Sequence, residues 1–561
     1  MSGISVARFD SPVGLGLGLV FWFASLTPTL VPRGWIVQGV TSGVCLAIGY
    51  GIGALAERIA RRALHPPSGG PRPTRRPRPV AAVAITVVVG AVGMLAWAAW
   101  QDTARDLVGT SHLGWWEGPP MVVLSLVVST LLVWAGRRVG AWPGAAHRAV
   151  RRRVPSSMPV PATILLVAVF VGLVGGQVVA RGLAAAANVA YEALDQGTNP
   201  GIDQPSLATV SGSPPSLVGW DTMGLWGRDF AAGVTRRDEL LAYHGADAEV
   251  RDPVRVFVGM RTAPTIEERV AVAVRELERA GGFERSVLAV WVPGGSGWMD
   301  PNAARALELL HAGDTAIVAT QYSYLPSFLS LVIDSSQVID SAALLFDAVR
   351  ERWLAMSEAD RPRLIIFGAS LGSGGAEMPF VGVDVGESMA NLASSADGAL
   401  IVGSLAWNPI LRQLTEAREP DSPAWQPTYS GGDTVRFVTG RGRPDPDLPW
   451  GPSRVLYLQH PSDPVAYVSL DALWSPPEWM DEPRGHGVPP GTGWFPVVSA
   501  VQAAADLSFP SSLPSGFGHD YRVDYADAFA RVAPPEAWTV EDTARLEAYL
   551  TPDAETASGG P

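Results

Sequence analysis

The chain has 561 residues, 47% of them hydrophobic, with a mean hydropathy of +0.17 and a net charge of −12. The length allows several domains, and the negative charge argues against a nucleic-acid partner. All 42 basic residues are Arg, and the single cysteine, Cys45, excludes an intrachain disulfide framework and a Cys-based metal site.

Before residue 185 come five long apolar segments: Pro12–Val31, Trp35–Ala56, Val80–Trp100, Met121–Ala135 and Val160–Ala180. Most approach the roughly 20 residues needed to cross a bilayer. No A-x-A-like cleavage site follows the first, so it does not read as a signal peptide. Seven Arg lie in 57–79 and six in 136–158, whereas 101–118 carries one Arg against three acids. The positive-inside rule then predicts a cytoplasmic N-terminus and, after five spans, an extracytoplasmic C-terminal part in the cell membrane. Asp, Glu and Lys are absent from the segment interiors, which argues against an ion or proton path. The frequent glycines, among them Gly14, Gly18, Gly43, Gly49 and Gly53, predict close helix packing.

Residues 184–219 shift to small and turn-forming types and read as a juxtamembrane linker. From about Asp252, apolar strand-like runs alternate with helical patterns. Strands are predicted over 254–258, 287–292, 315–320, 364–367, 398–403 and 454–459, and helices over 265–280, 303–311 and 338–353. Periodicity does not classify 220–230. The alternation predicts a mostly parallel sheet under helices on both faces, spanning 220–545 with a flexible tail at 546–561. Within it, 418–453 is rich in Pro, Gly and charge and is expected to be an insertion over the sheet, a candidate lid.

The run Arg363-Leu-Ile-Ile-Phe-Gly-Ala-Ser-Leu-Gly372 passes from a strand through G-x-S-x-G towards a helix. This is the pattern of a nucleophile elbow, in which a tight turn lifts the Ser above the sheet. Ser370 would need a base and an orienting acid, in the order Ser, acid, His on this scaffold. Of the eight His, three follow the Ser. His519 lies in the Gly-flanked loop Ser515–Tyr521 where the base is expected. His460 precedes the best acid, and His486 reads as solvated surface. The best acid is Asp463, just past the strand 454–459 and followed by Pro. An oxyanion hole is expected from the N–H of Leu371 and from the loop Gly294-Gly-Ser-Gly297, at Gly295 and Ser296. That glycine loop lacks the Lys and the spacing of a phosphate loop. No cofactor motif is present.

Several stretches carry a resemblance: Trp220-Asp-Thr-Met-Gly with Gly227-Arg, Gly295-Ser-Gly-Trp298, Gln321-Tyr-Ser-Tyr-Leu-Pro-Ser327, Gly368–Ser373, Tyr457-Leu-Gln-His-Pro-Ser-Asp-Pro464 and Gly518-His-Asp-Tyr521. In them the chain resembles the actinobacterial membrane-anchored α/β-hydrolase family of the "alpha/beta-hydrolase family 9" type, a multi-span module followed by a hydrolase domain. It departs from that pattern at Gly294, Ser296, Ala369 (usually acidic) and Phe517 (usually a second His), the last leaving His519 as the one base in its loop. The resemblance implies an α-helical transmembrane domain over 1–183 and an α/β-hydrolase domain after it. The expected activity is that of a membrane-anchored serine hydrolase or esterase. Five spans beside the site suggest a lipid-like or cell-envelope ester as substrate. Acyl transfer to an envelope acceptor by the same triad, and a non-catalytic scaffold, are the alternatives.

Overall fold

The computed structural model describes residues 9–64, 79–150, 176–333, 336–440, 449–467, 469–508 and 513–551. The chain forms two compact units, one of residues 1–183 with 468–510, the other of 184–467 with 511–561.

The N-terminal unit is built on helices α1 (Pro12–Ala24), α2 (Trp35–Leu64), α3 (Pro79–Val108) and α4 (Gly118–Val150). Three stretches are long and apolar enough to cross a membrane: Trp35–Arg61, Ala84–Val108 and Gly118–Arg138. The expected five spans are therefore corrected to three among the described residues. α1 has 13 residues, about 20 Å of helix against a hydrocarbon core of about 30 Å. It stops at Ala24 because Pro28 and Pro32 follow, which a hydropathy count over Pro12–Val31 ignores. The fifth segment lies, up to residue 175, outside the described residues. The expected close packing is present. A Cβ on Gly53 would meet Val13 O at 2.7 Å, and one on Gly43 would meet Ser125 O at 2.8 Å, so α1 and α4 touch the backbone of α2.

The segment 468–510 belongs to this unit although its sequence lies deep in the C-terminal half. Its helix Val498–Asp506 puts Val498 against Ala24 and Cys45. Asp506 forms a buried ion pair with Arg33 at 2.8 Å, the two side chains being 3% and 2% exposed. Gln502 Nε2 donates to Ser25 O at 3.1 Å.

Among the described residues the C-terminal unit carries seven parallel strands, β1 (Val254–Val258), β2 (Val287–Val292), β3 (Thr315–Thr320), β4 (Arg363–Ala369), β5 (Gly398–Val402), β6 (Val435–Val438) and β7 (Arg454–Leu458), in the order β1-β3-β2-β4-β5-β7-β6. Every residue of β1, β2, β3 and β5 is buried. Side chains alternate between faces, so both faces of the sheet are covered. Six strands match the expected runs. β6 does not: it lies inside 418–453, so that segment is in part an edge strand pairing with β7 and not wholly an insertion over the sheet. The linker joins the sheet as well, Val210 bridging Arg255 of β1. The unclassified stretch becomes the turn Trp220–Thr222 and the helix Gly224–Ala232. Under β1, Arg255 and Glu308 form a buried bidentate pair at 2.6 and 2.8 Å, and Thr235 Oγ1 donates to Glu308 at 2.5 Å.

The chain turns one way after β2, to β3, and the other way after β4, to β5. The loops after β2 and β4 therefore diverge and leave a crevice at the carboxyl ends of the strands, the place where open α/β sheets bind ligands.

Candidate active site

Ser370 stands at that crevice. β4 ends at Ala369 and the helix Leu371–Glu377 begins immediately, with Ser370 between them at φ 54°, ψ −125°. An L-residue adopts such a backbone only when the surrounding structure imposes it. Here close approach does. A Cβ on Gly368 would collide with Gly372 O, and one on Gly372 with Val292 O, so any residue but glycine at either position would force the turn open. Ser370 N donates to Val402 O at 2.9 Å. Ser370 is only partly buried.

Asp463 lies in the turn after β7 and is completely buried. Its Oδ1 accepts Val465 N–H at 2.8 Å, which caps the short helix Pro464–Tyr467. Its Oδ2 accepts from Tyr521 Oη at 2.6 Å and meets His519 Nδ1 at 2.7 Å. The structure thus brings the predicted acid and base together across 56 residues of sequence. The imidazole lies over the end of β5, where a Cβ on Gly403 would be 2.5 Å from its Cε1. Gly403 follows Val402, the acceptor of the Ser370 N–H, so His519 sits above the strand next to the elbow.

Burial alone would push the Asp463 carboxyl up. The His519 charge and the hydrogen bonds from His519, Tyr521 and Val465 outweigh it and hold the group below the usual carboxylate range. Burial likewise pulls His519 down, but the Asp463 carboxylate outweighs it, so the imidazole titrates above its ordinary value. The pair is electrostatically matched to an imidazole that takes up a proton.

Sequence reasoning missed three residues here. Tyr521 supplies the second donor to Asp463. His460, set aside as a base, is a buried support. Its Nδ1 meets Gly518 O at 2.9 Å, its Nε2 meets Asp524 at 3.0 Å, and its ring stacks on Tyr521 with centroids 4.1 Å apart. It thereby fixes the residue before His519. Glu377, seven positions beyond Ser370, is buried and accepts from Ile410 N at 2.7 Å and Tyr457 Oη at 3.0 Å. Burial pushes its carboxyl up to about 7 against these hydrogen bonds. Only the adjacency of His460 to the Asp463 turn hinted at any of these. His486 belongs to the segment 468–510 and so to the N-terminal unit.

The expected oxyanion donors are partly corrected. Leu371 N–H is the first of the elbow helix, a position with no intrahelical acceptor. In the loop after β2, Gly294 N–H donates to Trp298 O at 2.9 Å and Gly295 N–H to Ser327 Oγ at 3.0 Å. Gly295 is therefore committed within the protein, and Ser296 is the remaining expected donor of that loop. A Cβ on Gly372 would also lie 3.0 Å from Pro293 O, so the loop borders the elbow. No cluster of three or more His, Cys, Asp or Glu able to hold a metal occurs among the described residues.

Residues 254–546 match the profile described as the alpha/beta-hydrolase family, and residues 26–234 match the one described as the alpha/beta-hydrolase family N-terminus. No curated protein and no solved structure matches the chain. The first profile alone covers more than half of the sequence and takes in the whole parallel sheet with the elbow at its switch point. The chain belongs to the alpha/beta-hydrolase family, with that family's N-terminal region preceding its hydrolase unit.

Proposed function

We propose that the protein is a membrane-anchored serine hydrolase that cleaves an acyl ester with Ser370, His519 and Asp463. The observation that carries this reading is the 2.7 Å pairing of His519 with the buried Asp463 beside a strained, accessible elbow serine. Ser370 Oγ attacks the ester carbonyl and its proton passes to His519 Nε2. The alkoxide that forms is met by the N–H groups of Leu371 and Ser296. His519 then returns the proton to the departing alcohol, leaving an acyl-serine. Water, deprotonated by the same imidazole, attacks the acyl carbonyl and releases the acid and Ser370.

Three apolar helices of membrane-spanning length support a bilayer location. The Arg-rich stretches 57–79 and 136–158, each at the end of one of these helices, favour the cytoplasmic side for the loops that carry them. A site tethered to a bilayer favours a lipid-like or envelope ester over a freely diffusing one. The test is labelling of the full-length protein in detergent with a fluorophosphonate. Wild type should label at Ser370 and hydrolyse p-nitrophenyl butyrate, and Ser370→Ala should do neither. A folded wild-type protein that does not label would refute the reading.

A further inference from the structure

Two stretches that carry the family resemblance, 220–228 and 321–327, take no part in the Ser–His–Asp geometry. Both bear on the loop Pro293–Gly297. Gln321 directly follows β3 and is 1% exposed. Its Nε2 donates to Ser296 O at 2.9 Å and to Asp195 Oδ1 at 3.1 Å, with Ser323 O at 3.2 Å, and its Oε1 accepts Met260 N–H at 3.1 Å. From the other side, Ser327 Oγ accepts the Gly295 N–H.

Asp195 ends the helix Gly176–Asp195 and is 5% exposed. Its Oδ1 also accepts Leu225 N–H at 3.2 Å. A Cβ on Gly224, at φ +79°, would lie 2.6 Å from both carboxylate oxygens, which explains the glycine in Trp220-Asp-Thr-Met-Gly. Arg228 fixes the chain just after Asp195, with Nη1 on Gln196 O at 3.0 Å and Thr198 Oγ1 at 2.8 Å, and Nε on Trp220 O at 3.0 Å.

The consequence is local. Gly294, Gly295 and Gly297 give this loop wide backbone freedom. The Gly295 N–H belongs to one peptide plane and the Ser296 C=O to the next but one. Ser327 pins the first and Gln321 the second. The plane between them bears the Ser296 N–H, and its direction follows from the two that are held. We propose that Gln321, itself held by Asp195, is a positioning residue that aims the Ser296 N–H at the oxyanion. This rests on the serine-hydrolase reading above. It makes the residue that ends the helix Gly176–Asp195 part of the support of the catalytic loop.

The test uses full-length protein in detergent, with p-nitrophenyl butyrate turnover, the rate of fluorophosphonate labelling and the melting temperature measured together. Gln321→Met keeps volume and removes both hydrogen-bonding atoms. It should lower kcat by about 10- to 100-fold, as a misaimed oxyanion donor does, with KM within about twofold and labelling slowed in parallel. The acid limb of the pH–rate profile should not move, because the His519–Asp463 pair is untouched. Asp195→Leu should fall in the same direction, and Asp195→Asn, which keeps an acceptor for Gln321, should recover to within about twofold of wild type. Ser327→Ala supplies an independent arm and should also lower kcat at constant KM. An unchanged kcat in Gln321→Met and Ser327→Ala, or losses that only follow the loss of folded protein, would overturn the proposal while wild-type labelling still supported the serine hydrolase. Failure of wild type itself to label would overturn both.

Discussion

Replacing Asp463 by Asn tests the proposed chemistry most directly. The side chain keeps its size, and one amide oxygen can still accept the Val465 N–H and hold the turn. That orientation forces the amide NH2 towards His519 Nδ1 and Tyr521 Oη, the two groups that now share Oδ2 at 2.7 and 2.6 Å. A donor facing the Nδ1 proton favours the other tautomer, with the proton on Nε2, and such an imidazole cannot accept from Ser370. Loss of the tautomer costs about 10⁴ in kcat, equivalent to about 5 to 6 kcal/mol in the barrier. KM for p-nitrophenyl butyrate should stay within a few-fold, because the crevice is unaltered. The pH profile supplies a second, signed readout. In wild type the carboxylate outweighs burial and holds His519 above its ordinary 6.5. Since the neutral imidazole is the base, activity should rise as pH rises through a value above 6.5. Without the Asp463 carboxylate burial is opposed only by the weaker pull of Asp520 and Asp300, and the residual activity should rise at a lower pH. Turnover and fluorophosphonate labelling across pH would measure both. An Asn variant within about tenfold of wild type, or an acid limb left in place, would refute the role assigned to Asp463.

Two further outcomes concern stability. Glu377 holds its proton to about 7 in the folded protein and releases it near 4.5 when unfolded. Its contribution is full below 4.5 and lost as pH rises through about 7. The melting temperature of wild type should therefore fall more steeply over this window than that of Glu377→Gln, and equal slopes would contradict the assignment. Arg255→Met leaves Glu308 buried without its cation, so unfolding in denaturant should show a loss of about 3–5 kcal/mol. Adding Glu308→Leu should restore most of it, and a double variant no better than the single one would show that the charge was not the cause.

The sheet was legible wherever a strand is central. Buried parallel strands must be apolar on both faces, and the run Ala316-Ile-Val-Ala319 shows that composition directly. β6 was not legible because it is a four-residue edge strand interrupted by Arg436, and its neighbourhood has the composition of a loop. Ser370, Asp463 and His519 could be named as candidates because the elbow is a local pattern and the order of acid and base limits the choice, and the elbow turn and the Asp463–His519 pairing are both present. Tyr521, His460 and Gln321 could not, since each owes its place to contacts made across 25 residues or more. Hydropathy misjudged α1 for a related reason: it measures composition, and a span also needs an unbroken helix. The allegiance of 468–510 is likewise a matter of tertiary packing, because its scattered Trp474, Trp479 and Trp494 have no periodicity that names a partner.

That segment changes what it means to call the helical unit an anchor. The chain leaves the C-terminal unit four residues after Asp463 and rejoins it eight residues before His519. In between, its apolar and charged contacts are with residues such as Ala24, Cys45 and Arg33. A fragment beginning at residue 184 would carry Asp506 without Arg33 and Val498 without its cover, on the stretch that joins acid to base. The helical unit is therefore not simply appended in front of the hydrolase sequence. The helices supply the partners of a segment that lies within the hydrolase half of the sequence, so removing them removes those partners.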